Sequence, residues 1–171
     1  MNYYYPNKIN KAIKSNLCIN CPNYEERCVT TGSWHPKAKI TFLAETPSWT
    51  SIGAQTPLVG KNGLLLHKTI ASTVNEYYPD DFQFYYSTAY AVGAQGKPKM
   101  PVINQCSNLW QTQWANNYGQ QSGNKVIVSL GTIATKSAGV SIGKITESRG
   151  HIYNSLIGKT SGKNTTIVPI S

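Results

Sequence analysis

The sequence predicts an α/β fold in which four parallel strands form a central sheet with helices on both faces. Short apolar runs alternate along the chain with longer segments whose apolar residues recur at helical spacing, and this alternation is typical of parallel sheets. The 171 residues suit one domain, and 40% hydrophobic against 13% charged residues indicates a globular chain. We therefore expect a single domain over 1–171 with a cysteine-rich loop at 16–30.

Four segments have the composition of buried strands. Residues 39–44 and 125–130 are short apolar runs, each closed by a polar residue or a glycine, and 82–91 is rich in aromatic residues. The last predicted strand covers 165–168. Because ligands bind at the carboxyl ends of such strands, we expect functional residues in the segments that follow them.

Three segments have helical periodicity. Residues 62–77 repeat aliphatic side chains at helical spacing, and 102–118 repeat apolar residues that include Trp110 and Trp114. A shorter helix is predicted at 132–138. The stretch 93–101 contains two prolines and two glycines, which indicate a loop.

The charge balance favours a polyanionic partner. Sixteen lysine and arginine residues against seven acidic residues give a net charge of +9, and nucleic acid is the usual partner of such an excess. A basic but unspecialised surface is the alternative. No stretch is long and apolar enough to span a membrane, and Met1 to Ile13 lack the apolar run of a signal peptide, so we expect a cytoplasmic protein.

Four cysteines indicate a metal site. Cys18, Cys21 and Cys28 are clustered ahead of the first predicted strand, and Cys106 lies in a predicted helix. In a cytosolic chain, three clustered cysteines with one distant partner are typical of a zinc ion or an iron–sulfur cluster. The spacing does not separate these two metals, and thiols without metal are a third alternative.

Six short motifs follow one another in a recognisable order. They are Cys18–Cys21, Ala44–Ser48, Pro57–Gly63, Cys106, Ser129–Gly131 with Ala134, and Arg149–Gly150. This order resembles the family 4 uracil-DNA glycosylases and the related domains found with A-family DNA polymerases of phages and mobile elements. In that family the second and third motifs are Gly-Glu-Ala-Pro-Gly and Pro-Phe-Val-Gly-x-x-Gly. The resemblance covers Cys18 to Pro169 and implies the uracil-DNA glycosylase-like fold, with three α/β/α layers around the four-stranded sheet.

The preserved motifs predict a DNA-binding surface on the strand-end loops. Glycines at 60 and 63 allow the backbone to approach a phosphate, and the amides that open the next helix would face it. A tight strand-to-helix turn is the alternative explanation of these glycines. Trp49 and Trp34 are candidates to stack unpaired bases. The predicted DNA contacts are Thr46, Pro47, Ser48, Trp49, Pro57, Leu58, Gly60, Lys61, Asn62, Gly63, Lys144 and Arg149.

The residues that excise a base in the family have no counterparts here. Leu58 stands where the family stacks uracil on a phenylalanine, and Ser87–Ala89 stand where it reads the base with an asparagine. The family's His-Pro motif has no equivalent after the last strand, where the chain reads Pro169–Ser171. Losing even one electrostatic donor commonly lowers a rate by ~10²–10³. We therefore expect no catalytic residue.

Two further sets of residues are assigned without a catalytic role. Glu45 is kept from the family motif, either as a vestige of the site or as a residue that caps a helix or holds a loop. The three histidines, which are His35, His67 and His151, are expected at the surface or its boundary.

The resemblance also implies an iron–sulfur cluster. The family's third cluster cysteine falls near Val92, so we expect Cys28 to replace it. Cys18, Cys21, Cys28 and Cys106 would then hold a 4Fe-4S cluster with a structural role, while zinc or no metal are the alternatives.

These inferences predict a non-catalytic DNA-binding accessory subunit. The resemblance implies that it holds single-stranded template or primer for an A-family DNA polymerase or primase during DNA replication of a phage or mobile element. One alternative is an active, divergent glycosylase for uracil or a modified base in base excision repair. Another is an adaptor that binds only protein, through Trp110, Trp114 and the tyrosine-rich segments 3–5 and 77–86.

Overall fold

Helices and strands alternate along the part of the chain that the structure describes. The computed structural model describes residues 9–10, 32–33, 35–54, 56–73, 81–88, 98–118, 125–155, 157 and 165–170. The elements in chain order are β1 (Ile9–Asn10), β2 (Gly32–Ser33), β3 (Ile40–Ala44), α1 (Trp49–Ala54), α2 (Lys61–Thr73), β4 (Phe82–Tyr86), α3 (Met100–Tyr118), β5 (Val126–Leu130), α4 (Thr132–Ser137), α5 (Ile145–Ser148), β6 (Tyr153–Ser155) and β7 (Thr165–Ile170). The predicted α/β class is confirmed.

One mixed sheet contains the seven described strands, in the order β1-β2-β4-β3-β5-β7-β6. Strand β3 pairs parallel with β4 and with β5, and β5 pairs parallel with β7. The outer pairs are antiparallel, namely β1 with β2, β2 with β4, and β6 with β7. The sheet is therefore wider than the four strands expected. Strands of two or three residues, such as β1, β2 and β6, are too short to give a periodic pattern in a sequence.

The sheet separates two apolar clusters, because successive residues of a strand point to opposite faces. Leu43 and Tyr85 belong to one cluster, and their neighbours Phe42 and Phe84 belong to the other. The first cluster is completed by Trp110, Trp114, Ile127, Ala134, Ala138, Val140, Ile157 and Ile167. The second is completed by Ala44, Leu58, Ile70, Phe82 and Tyr86. Helix α3 thus packs on one face and helix α2 on the other.

Two buried tryptophans connect α3 to β3 and to α4 through hydrogen bonds. Trp114 Nε1 donates a hydrogen bond to Thr41 Oγ1 on β3, at 2.9 Å, and Gln83 Nε2 on β4 donates to the same oxygen at 2.7 Å. Trp110 Nε1 donates to Ser137 Oγ at the end of α4, at 2.6 Å. Since a buried indole N–H is costly without an acceptor, these bonds fix where α3 lies on the sheet.

The longer elements match the periodic segments of the sequence. The helix predicted at 62–77 begins at Lys61 and is described as far as Thr73, and the one predicted at 102–118 begins at Met100. Helices α1 and α5, of six and four residues, were not predicted. Within the described ranges, no helix has the length and hydrophobicity needed to cross a membrane.

Candidate nucleic-acid interface

The carboxyl ends of β3, β4, β5 and β7 meet at one edge of the sheet, because these strands run parallel. From β3 the chain continues to β4 on one side of β3. It then returns to β5 on the other side of β3 and continues outward to β7. In open α/β sheets this reversal of direction leaves a crevice at the carboxyl ends, where ligands bind. The segments after β3 and β5 therefore border the expected ligand site.

Glu45 lies at this reversal, and its carboxylate caps helix α4. Its Oε1 accepts the backbone N–H of Ile133 at 3.0 Å, and a negative charge is favourable at a helix amino terminus. Gly131 has a φ of 95°, and a Cβ at that position would collide with the same carboxylate oxygen. The geometry thus gives Glu45 the capping role that was the alternative to a catalytic vestige.

Ser87 and Thr88, which follow β4, are both fully buried. The Ser87 N–H and Oγ both donate to the Ala44 carbonyl, at 2.8 and 3.0 Å. The Thr88 N–H donates to the Glu45 carbonyl at 3.2 Å. Both residues thus bind backbone carbonyls at the end of β3.

The loop from Pro57 to Gly63 folds over the end of β4. The Leu58 N–H donates to Tyr86 Oη at 2.7 Å, and the Leu58 side chain is buried in the cluster on the α2 face. Leu58 has a φ of 55°, which is uncommon for a residue with a bulky side chain. A Cβ on Gly63 would collide with the Leu58 carbonyl oxygen. The tight turn therefore suffices to explain why residue 63 is glycine.

Trp49 is exposed beside the start of α2. The residue is 67% exposed, although tryptophan is highly buried on average. The next residue, Thr50, has side-chain atoms 3.6 to 3.7 Å from the place that a Cβ on Gly60 would take. Lys61 and Asn62 are exposed, and α2 has no acidic residue in its first turn. The start of α1, which carries the exposed Trp49, therefore lies against the residue that precedes Lys61 and α2. An exposed indole suits a base, and a lysine at a helix amino terminus suits a phosphate.

The predicted DNA contacts divide by burial. The exposed ones are Ser48, Trp49, Gly60, Lys61, Asn62, Lys144 and Arg149, and Thr46 is partly exposed. The buried ones are Pro47, Pro57, Leu58 and Gly63. The buried residues shape the two loops, while the exposed residues offer the groups that a ligand could contact.

Lys144 and Arg149 lie at the same edge of the sheet but beyond β7. The Gly150 N–H donates to the Pro169 carbonyl near the end of β7, at 3.1 Å. Strand β7 is three positions from β4 in the sheet, which corresponds to roughly 14 Å at ~4.8 Å per strand. The structure therefore brings α1, through Thr50, against Gly60, and places Arg149 beside β7, away from these residues. Lys144 is also 3.7 Å from the Glu147 carboxylate.

The histidines differ in environment. His67 is 2% exposed on α2 with its ring edge-on to Phe84, 5.1 Å between centroids. Burial lowers the pKa of His67 below 6.5. The expectation of a surface or boundary position is therefore wrong for His67, because the helical spacing that puts Gly63 and Ile70 inward also turns residue 67 inward. His151 is exposed and His35 partly exposed.

The predicted metal ligands lie mostly outside the described residues. Cys18, Cys21, Cys28 and Trp34 belong to the part that the structure does not describe. Cys106 is on α3 and is 9% exposed. Among the described side chains, no group of three or more His, Cys, Asp and Glu could hold a metal ion. The four-cysteine site stays a prediction.

Sequence reasoning missed three residues of this region. Thr50 brings α1 against Gly60, and Tyr86 Oη donates to Ser51 Oγ at 3.0 Å while it accepts the Leu58 N–H. The only sequence signal for Tyr86 was its place within the aromatic strand predicted at 82–91, which the structure ends at Tyr86. Searches against protein-family models and against curated proteins return no match to this chain.

Proposed function

We propose that the protein is a non-catalytic accessory subunit that binds single-stranded DNA along the carboxyl edge of its sheet. The observation that carries this proposal is the exposed Trp49 in α1, whose next residue, Thr50, lies against Gly60 just ahead of Lys61 and the amino terminus of α2. A base in duplex DNA is stacked and unavailable, so an exposed indole favours an unpaired strand. The basic excess of +9 suits a partner made of phosphates.

The proposal includes a path for the strand. A DNA strand that runs from Lys61 to Arg149 would cross the carboxyl ends of β4, β3, β5 and β7, which span roughly 14 Å at ~4.8 Å per β-strand. Lysine and arginine contacts to phosphates supply affinity without sequence information. The protein would therefore hold template or primer irrespective of its sequence.

The proposal of a non-catalytic protein rests on the partners of the crevice residues. The Glu45 carboxylate accepts the Ile133 N–H, and Ser87 and Thr88 bond to the backbone after β3. Leu58 offers no aromatic ring for a flipped base. Base excision needs groups that stack the base, read its edge and stabilise the departing anion, and these residues supply none of them.

The finer assignments follow from the motif resemblance. We infer a uracil-DNA glycosylase-like α/β/α arrangement in which β4, β3, β5 and β7 form the central parallel sheet. The partner would be an A-family DNA polymerase or a primase of a phage or mobile element, in the cytoplasm. Cys106 would join Cys18, Cys21 and Cys28 around a 4Fe-4S cluster, with zinc as the alternative.

A salt titration tests the DNA-binding proposal. The affinity for a labelled single-stranded oligonucleotide should fall with salt, measured by fluorescence anisotropy. The double variant Lys61→Gln/Arg149→Gln should bind more weakly, with a slope of log K against log salt reduced by about 1.4, or ~0.7 for each phosphate contact. Affinity that does not respond to salt contradicts the proposal.

A second pair of lysines provides the matched control. Lys37 and Lys39 are exposed ahead of β3, at the opposite edge of the sheet, where Lys39 lies 3.8 Å from Asp81. The double variant Lys37→Gln/Lys39→Gln removes two positive charges, as Lys61→Gln/Arg149→Gln does. Because these lysines lie away from the candidate interface, most of the affinity and the slope of log K against log salt should be retained. An equal loss in both double variants would indicate attraction by net charge alone.

Two further measurements separate the alternatives. Trp49→Ala should weaken single-strand binding by about 5- to 100-fold, as expected for loss of one stacked base. Strands containing uracil, hypoxanthine or hydroxymethyluracil should yield no abasic sites. Abasic product that disappears in Glu45→Gln would overturn the non-catalytic assignment, and co-purification with a polymerase without DNA binding would favour an adaptor.

A further inference from the structure

We propose that Tyr86 is the positioning residue of the DNA interface, and that its hydroxyl sets where Trp49 lies relative to the start of α2. This inference rests on the proposed DNA-binding function and adds a residue that does not itself contact DNA. Tyr86 is the last residue of β4 and is 2% exposed. Any effect on binding must therefore pass through the residues that it contacts, Leu58 and Ser51.

One oxygen joins both loops to the sheet. Tyr86 Oη accepts the backbone N–H of Leu58 at 2.7 Å, two residues before Gly60. The same hydroxyl donates to Ser51 Oγ at 3.0 Å in α1. The loop before α2 and helix α1 are therefore both bonded to one side chain of the sheet.

The bond to Ser51 extends to the residue before Trp49. Ser48 Oγ accepts the Ser51 N–H at 3.1 Å and donates to Ser51 Oγ, also at 3.1 Å. Ser48 precedes the first residue of α1, so its side chain caps that helix. The series Leu58, Tyr86, Ser51, Ser48 thus connects the loop before α2 to the residue that precedes the exposed indole.

The turn at Leu58 requires such a bond. Leu58 has a φ of 55°, in the left-handed region that bulky residues avoid. Its buried N–H has Tyr86 Oη as its acceptor, and a buried N–H without an acceptor is costly. Removing the hydroxyl therefore removes a bond that favours this conformation. Burial also raises the pKa of Tyr86 above 10.0, so the hydroxyl keeps its proton at neutral pH.

The neighbouring tyrosine provides a matched control. Tyr85 is also buried in β4, but it belongs to the cluster on the α3 face, and its hydroxyl accepts Asn117 Nδ2 at 2.9 Å. Tyr86→Phe and Tyr85→Phe each remove one bonded hydroxyl from adjacent positions of the same strand. Only Tyr86→Phe removes a bond to the candidate interface.

Two measurements on wild type and both variants test the inference. Amide hydrogen exchange should speed up about tenfold at Leu58 in Tyr86→Phe, relative to Ile127 in the central strand, and should stay within about twofold in Tyr85→Phe. Single-strand affinity should fall about five- to tenfold in Tyr86→Phe only. A purely structural role would change exchange at Leu58 and at Ile127 by the same factor, and that result overturns the inference.

The outcomes separate the two proposals. Wild-type protein that does not bind single-stranded DNA defeats the proposed function. Exchange at Leu58 that is unchanged in Tyr86→Phe defeats the positioning role, whatever the DNA result. Faster exchange with unchanged affinity defeats it as well. If Tyr86→Phe does not fold, Ser51→Ala, which removes the oxygen that accepts from both Tyr86 Oη and Ser48 Oγ, should lower the affinity about two- to threefold. Unchanged affinity in that variant overturns the inference.

Discussion

Glu45 follows the first long strand, and its carboxylate has a structural partner at the start of α4. Its oxygen accepts the Ile133 N–H, and Gly131 leaves room for it. The sequence places Glu45 in the Ala44–Ser48 motif but does not predict this bond, because Glu45 and Ile133 are 88 positions apart. A contact of that separation depends on the parallel pairing of β3 with β5.

The bond by which Glu45 caps α4 should contribute measurably to the free energy of unfolding. Glu45→Ala should lower the free energy of unfolding by about 1 kcal/mol, because it removes an acceptor and a favourable charge from the helix amino terminus. Urea titration at neutral pH measures the change. Glu147→Ala is the control, since Glu147 is exposed and pairs only with Lys144, and it should change stability by less than about 0.5 kcal/mol. Equal effects contradict the cap.

His67 should make the protein less stable in acid. Its pKa is lowered by burial, so below pH 6.5 the unfolded chain takes up a proton that the folded state resists. The stability that depends on neutral His67 is fully present above pH 6.5, and it is lost as the pH falls through the pKa of His67 in the folded state. Urea unfolding near pH 7.5 and near pH 5.5 should show a smaller difference in His67→Gln than in wild type. The exposed His151→Gln is the control, and an unchanged difference in His67→Gln contradicts this account.

Among the helices, the periodic spacing of apolar residues predicts the long ones and misses the short ones. The helices of 13 and 19 residues were predicted because their inward residues recur over several turns. Helix α1 has only six residues, which is too short for an apolar spacing to recur, and it contains Trp49. The candidate DNA contacts therefore came from motifs, while the exposure of Trp49 and the closeness of Thr50 to Gly60 required the packed structure.

Alanine substitution should have opposite effects on stability at Gly63 and at Gly53, because only Gly63 is crowded by neighbouring atoms. Gly63→Ala should lower the free energy of unfolding by more than about 2 kcal/mol, because the Cβ collides with the Leu58 carbonyl and the loop must move. Gly53→Ala in α1 meets nothing within 4 Å, so it should raise stability by about 0.5–1 kcal/mol. Denaturant unfolding of both variants measures the difference, and similar changes would contradict the predicted collision.

At the scale of the whole molecule, the charge of +9 indicates a class of partner but no place for it. Exposed lysines lie at both edges of the sheet, with Lys37 and Lys39 at the amino edge and Lys61 at the carboxyl edge. Composition therefore could not select an interface. The direction of the strands selects one, because only the carboxyl edge carries the loops after β3 and β5.

The cysteines allow a prediction for the whole chain. Protein purified without oxygen should contain about four iron atoms per molecule and absorb visible light, as a 4Fe-4S cluster does. Cys106→Ser should lower the metal content and the melting temperature together, since metal binding contributes to folding. Metal analysis and thermal unfolding test this. Zinc in place of iron contradicts the cluster, and full stability without any metal contradicts the site.

The order of strands in the sheet also determines when the domain can form during synthesis. Ile40 in β3 pairs with Phe82 on one side and with Val126 on the other. As the chain leaves the ribosome, β3 therefore has one open flank until the segment beginning at Val126 has emerged. Pairings between such distant segments fold slowly, and during that interval the aromatic strand β4 leaves apolar surface exposed that chaperones can bind.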